Sequence, residues 1–386
     1  MDRREFWLNR LDEVNPKLKN VMGLVDLQQD SSYLGDLTKK RTIASLPFAG
    51  RYRIVDFALS SMVNSGIRNV GVLLPEKSRS ILDHIRSGKD WDLARHHKGL
   101  CYLPPAPADN GRKEGDLKNY YANLDFIESN SEEYVLLARA DCIYNMDFNP
   151  IMRFHENTRA DVTIVVSPAA HDDMARGIVV KMAENGLVED ITVKPDIKKG
   201  EMRALGVYIA RKDCFCSGVR RAYEHGGTDF RVDLVLEAFK NRTIFAYEHR
   251  GFSRRICSML AYYETNMAML QPDIWKEMFM REGHPIFTKV KDMAPVQYKE
   301  GSNVTNTLVA NGCEIYGTVE NSVLFRGVKI APGAVVRDSI IMQNGFIQDN
   351  ARTNCVVCDK NVVVSAGKVL EGAKTYPVFV GKNVRI

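Results

Sequence analysis

The sequence predicts two units in one chain: an α/β domain with a mostly parallel sheet, then a left-handed parallel β-helix. Two observations carry this. Up to about residue 283, apolar runs of strand length alternate with segments of helical periodicity. After residue 302 the apolar period becomes six, with glycines at the turns.

The elements follow in order. Residues 1–19 read as an amphipathic arm, with Phe6, Leu8 and Leu11 on one stripe and Pro16 ending it. From Asn20, the runs "NVMGLV", "NVGVLLP" and "EYVLLARAD" read as strands. "SRSILDHIRSG", "NYYANLDFIES" and "NPIMRFHENTR" between and after them read as helices. Strand–helix–strand alternation implies a parallel sheet, which binds ligands beyond the C-terminal ends of its strands. From 162 to 211 strands dominate, and Ala183-Glu184-Asn185-Gly186 reads as a hairpin turn within an antiparallel insertion or edge. The domain expectation is therefore an arm at 1–19, an α/β domain at 20–283, a linker at 284–302 and a β-helix at 303–386. In the last of these, Ile330, Val336 and Met342 are spaced by six, as are Ala334, Ile340 and Phe346. A hexapeptide step stacks short strands into a prism; it fixes architecture, not chemistry.

Composition narrows the function. The 386 residues carry a net charge of +5, spread along the chain, so nucleic acid is not an expected partner. The N-terminus is charged from its second residue and lacks the apolar core of a signal peptide. No apolar run is long enough to span a bilayer, so a cytoplasmic protein is expected. Of eight cysteines, only Cys355 and Cys358 have metal-like spacing, and buried thiols are the expected reading.

The most specific stretch is "PFAGRYRIVDFALSSMVNSGIRNVGVLL" at 47–74. It resembles the ADP-glucose pyrophosphorylase family, also called glucose-1-phosphate adenylyltransferase. "DLTKKR" at 36–41, "HIRSGKDWDL" at 84–93, "NLDFI" at 123–127, "VKP" at 193–195 and "LGVYIA" at 205–210 fit the same family. "FAGRYR" and "SGKDWDL" look most like its second bacterial subunit, the GlgD type, which pairs with a catalytic subunit. The resemblance implies a Rossmann-like nucleotidyltransferase domain before the β-helix. It also implies a reaction in which glucose 1-phosphate attacks the α-phosphorus of ATP, with Mg²⁺ neutralising charge.

Residue by residue, the resemblance implies that the chemistry has been removed. The family's glycine-rich loop and its arginine fall on Gln28, Gln29, Ser31 and Tyr33, and no glycine stands between Asp26 and Leu34. Side chains there intrude on a phosphate cradle that needs open backbone amides. An alternative anion loop built from Gly35 and Ser31–Ser32 stays open. The lysine after the loop is Ile43, and the second metal carboxylate is Arg255. Asp141 remains from the first metal carboxylate, and Arg255 can replace the metal as a fixed cation paired with it. Gly115 and Lys194 remain as remnants of the nucleotide turn and the sugar-phosphate contact.

Lys40, Arg41 and Arg53 match the family's allosteric pocket for anionic effectors such as sugar phosphates, although Pro47 replaces a histidine usual there. The expected role is a regulatory, largely non-catalytic subunit in a heterotetramer with the catalytic subunit, with homo-oligomers when alone. No tightly bound cofactor is expected, Mg²⁺ being used by the catalytic partner. Two rival readings are an active enzyme with a divergent site and a stand-alone anion sensor. A hexapeptide acyltransferase would need a histidine in the coil, and the last histidine is His284.

Overall fold

The computed structural model of this chain describes residues 18–107, 115–169, 177–238 and 242–386. The arm expected at 1–19 lies outside the described residues except for its last two.

A nine-stranded sheet organises the α/β unit. Its strands are β1 (Val21–Asp26), β2 (Val70–Leu73), β3 (Leu100–Leu103), β4 (Tyr134–Arg139) and β5 (Val162–Pro168). β6 (Gly177–Met182), β7 (Val188–Lys194), β8 (Met202–Arg211) and β9 (Ile244–Glu248) complete it. Around β1 the sheet is parallel: β1 pairs with β2 and β4, and β2 with β3. Around β8 it is antiparallel, and β6–β7 form the hairpin turning at 183–186. The sheet is thus mixed, with its parallel half where the long crossovers lie.

All six residues of β1 are buried, as suits a central strand covered on both faces. Helix α1 (Ile54–Asn64) covers one face and is itself buried along its length. The two approach so closely that a Cβ on Gly23 would stand 2.7 Å from Met62 Sδ, so any larger residue there would have to displace the Met62 side chain.

Three parallel five-stranded sheets of short strands form the left-handed β-helix. The register Ile330↔Ile347↔Val364 advances by 17 residues per coil. A 17-residue coil on three sides explains why the six-residue step reads imperfectly in the sequence. The first coil strand, Gln297–Tyr298, already lies within the 284–302 stretch. One apolar cluster joins the two units: Leu34, Leu37, Ile43 and Phe57 pack with Val323, Phe325 and Met342. No helix among the described residues is long and apolar enough to cross a membrane.

Candidate functional site

The C-terminal ends of β1 and β4 lie side by side, with Asp26 in register with Arg139. In a sheet of this kind the loops at that edge form the ligand crevice. Here the loop after β1 folds onto itself. Gln28 N–H donates to Asp26 Oδ1 at 2.9 Å, and Gln28 Nε2 donates to the same oxygen at 3.1 Å. Asn119 Nδ2 donates to Gln28 Oε1, and Asn119 Oδ1 accepts Ala106 N–H at 2.7 Å. Gln29 Nε2 donates to Asp26 O at 2.7 Å. Two amide side chains therefore fill the crevice that a phosphate loop leaves open. Ser32 N–H is also taken, by Asp30 Oδ1 at 2.9 Å, which puts a carboxylate where the alternative anion loop would need a donor. The Ser31 carbonyl accepts Thr38 Oγ1 at 3.0 Å, and Tyr33 is exposed to solvent.

Beneath this loop lies a charge cluster that reading the sequence did not single out. The Arg139 guanidinium is buried and lies 3.7 Å from both Asp26 Oδ2 and Asp116 Oδ2. Burial disfavours its charge, but Asp26, Asp141 and Asp116 outweigh that and hold it above its ordinary value. Burial pushes the Asp116 carboxyl up to about 6 despite the opposing pull of Arg139. The signal available in the sequence was a charged residue closing an otherwise apolar strand, in "NVMGLVD" and "VLLAR".

Asp141 and Arg255 are brought together by a short antiparallel pairing of Cys142–Ile143 with Arg254–Arg255. Arg255 Nε stands 3.3 Å from Asp141 Oδ2. A divalent cation does not fit this arrangement. Asp141 faces Arg255 and Asp26 faces Arg139, so each carboxylate already meets a fixed positive charge. Ile43 is buried in the cluster that joins the two units, where a charged lysine would be out of place. Lys194 is ion-paired with Glu201. A Cβ on Gly115 would stand 2.1 Å from the Thr228 carbonyl oxygen, so glycine at this position has a packing reason of its own.

The anion-site residues divide. Arg53 lines a narrow cavity of about 40 Å³ between the two units, together with Arg51, Lys291, Arg326 and Lys360. None of these five cations makes an ion pair among the described residues. Asp56 is already committed to His84 Nε2 at 2.6 Å and to the Arg53 backbone N–H at 2.9 Å. Burial, then the charges of Arg53 and Arg41, push Lys360 down to about 7. Burial brings Arg53 down to about 10, while its Nη1 donates to Ser80 O at 2.6 Å. Arg41 does not line the cavity; its Nη2 holds Asp359 at 2.7 Å across the two units, and its Nε donates to Leu37 O at 2.9 Å. Lys40 is solvent-exposed and lies outside the lining as well. By the measure in which one water needs about 10–15 Å³, the cavity has room for about three waters.

Residues 31–270 match the nucleotidyl transferase family, and residues 292–374 match the GlmU-like C-terminal hexapeptide family. Glycogen biosynthesis protein GlgD of Bacillus subtilis (strain 168) is 30% identical over 367 residues, covering 94% of this chain and 96% of the relative. GlgD of Geobacillus stearothermophilus is 35% identical over 318 residues, 82% of each. A glucose-1-phosphate adenylyltransferase of Clostridium beijerinckii is 33% identical over 326 residues, covering 83% of this chain and 84% of the relative. With both of its units matched and such relatives aligned along most of its length, the chain belongs to the nucleotidyl transferase family, within the glycogen-biosynthesis group of glucose-1-phosphate adenylyltransferases and GlgD proteins.

Proposed function

We propose that this chain is a regulatory, largely non-catalytic subunit of bacterial ADP-glucose pyrophosphorylase, acting in the cytoplasm in a heterotetramer with a catalytic subunit. One observation carries the reading: the nucleotide crevice is occupied by the chain's own groups. Gln28 and Gln29 fill the loop, and Arg139 and Arg255 stand against the carboxylates. Removing one oxyanion donor or general catalyst costs roughly 10²–10⁴ in rate, and here several are replaced together. The cavity around Arg53 and Lys360 supports the regulatory half, because crowded cations at a junction of two units suit a small phosphorylated or carboxylated effector. An effector bound there acts on the partner through a coupling of about 1–3 kcal/mol.

The test is ADP-glucose synthesis from ATP, glucose 1-phosphate and Mg²⁺ by this chain, by the catalytic subunit, and by the two co-expressed. The expected result is no turnover from this chain alone, with a raised rate or a lowered substrate requirement in the mixture. Robust turnover by this chain alone would establish the divergent-enzyme reading. No effect on the partner would establish the stand-alone sensor.

A further inference from the structure

We propose a second anion site, separate from the cavity around Arg53, which takes a small phosphorylated organic molecule. It is a cleft of about 590 Å³ along helix α2 (Met259–Ala268), between β-helix residues Asp338 and Lys374 and the side chains Arg203 and Arg254. A volume of this size lies within the usual range for small-molecule sites. Gln28, Gly115, Asp141 and Lys194 do not line it, and neither do Arg53 or Lys360. It is therefore separate from the basic cavity, and of the crevice residues named above it shares Arg255, whose guanidinium pairs with Asp141.

The chemistry of its walls selects the ligand. Four cations line it, Arg203, Arg254, Arg255 and Lys374, against two carboxylates, Glu264 and Asp338. Asp338 is engaged by Lys374 at 3.4 Å, and Arg255 by Asp141 at 3.3 Å. Arg254 makes no ion pair among the described residues. Its Nη1 donates to Ser253 O at 3.0 Å, and its guanidinium lies 5.0 Å from the centre of the Phe252 ring. Burial and the adjacent Arg203 charge lower its affinity for its proton and outweigh the opposing pull of Glu264, a condition that a bound anion relieves. A forked guanidinium matches phosphate bidentately. The rest of the wall mixes apolar side chains such as Leu260, Met267 and Ile274 with the polar Ser258, Thr265 and Gln271, which suits an organic body bearing hydroxyls better than a bare ion.

Cys257 lines the same cleft and is partly exposed, so it reports occupancy. The experiment measures alkylation of Cys257 by iodoacetamide in the full chain, read by peptide mass spectrometry, with and without millimolar glucose 6-phosphate. Parent protein, Arg254→Gln and Lys360→Gln are compared, and inorganic phosphate serves as the probe without an organic body. Glucose 6-phosphate is expected to slow the reaction about tenfold in the parent and in Lys360→Gln, and to lose that protection in Arg254→Gln. Inorganic phosphate is expected to protect more weakly. The proposal is overturned if protection is absent in the parent, persists in Arg254→Gln, or disappears in Lys360→Gln. Equal protection by inorganic phosphate overturns the organic-ligand assignment. If Arg254→Gln fails to fold, Lys374→Gln on the opposite wall takes its place, with the same loss of protection expected and unchanged protection contradicting the site. Since ADP-glucose synthesis is not the readout, the regulatory proposal can fail without touching this one.

Discussion

Arg139 and Lys360 are both cations withdrawn from water, and their surroundings move them in opposite directions. Three carboxylates gather round Arg139 and hold its proton more firmly than usual. Around Lys360, burial and then the charges of Arg53 and Arg41 outweigh the opposing pull of Asp359, and its proton is held loosely, at about 7. In the first region the carboxylates already surround the guanidinium, so an anionic ligand finds no uncompensated positive charge there. The second is held in a state that an anion improves. In this chain, opposite charges are paired at the crevice and like charges are crowded at the junction of the two units.

The largest expected effect comes from breaking the closed region. Arg139→Met removes the guanidinium from between Asp26 and Asp116, which are left buried without it. Breaking a buried pair in this way costs about 3–5 kcal/mol. Thermal or denaturant unfolding of the purified chain checks this, and a loss under about 1 kcal/mol would mean that the carboxylates find other partners.

An intermediate effect is expected at the open region, with a defined sign. Because Lys360 is held near 7 and an unfolded lysine titrates at 10.5, the unfolded chain binds more protons between those values. Stability without ligand therefore rises with pH from about 7 to about 10.5 through this group. Affinity for a phosphorylated anion moves the other way, falling as pH rises through 7 because the neutral amine no longer attracts it. Calorimetric titration at pH 6 and pH 8, with Lys360→Gln as control, separates these effects. Lys360→Gln is expected to weaken binding by about tenfold at pH 6 and to flatten the pH dependence. A pH dependence unchanged in Lys360→Gln would assign it elsewhere.

The smallest effect sharpens the comparison. Gln28→Gly with Gln29→Gly reopens the loop at the loss of a few hydrogen bonds, each worth about 1 kcal/mol. ADP-glucose synthesis is expected to stay absent in the double variant, because Ile43 and Arg255 remain where the reaction needs a lysine and a carboxylate. Measurable turnover would show that the loop alone had silenced the enzyme.

The two-unit architecture was legible because periodicity is a local property: alternation in one half, a six-residue step in the other. The loop at Gln28–Tyr33 could be read locally too, since a phosphate cradle uses glycines and none stands there. Asp26, Arg139 and Asp116 were not, because strand register and a distant loop bring them together. Arg51, which lies in the quoted family stretch, was passed over, and Arg326 and Lys360 lie far along the chain in the β-helix. Arg41 was grouped with the effector residues because it matches the family's allosteric pocket. Its side chain holds Asp359 across the two units, a contact between residues 318 apart that no local pattern shows.

The most direct test titrates the isolated chain with Mg·ATP, comparing the parent with Lys360→Gln. The self-occupied crevice predicts no ATP binding beyond a weak, salt-sensitive component that disappears in Lys360→Gln, the part of a triphosphate that the basic cavity attracts. Saturable ATP binding that survives Lys360→Gln would mean that Gln28 and Gln29 give way to the nucleotide, and would contradict the account.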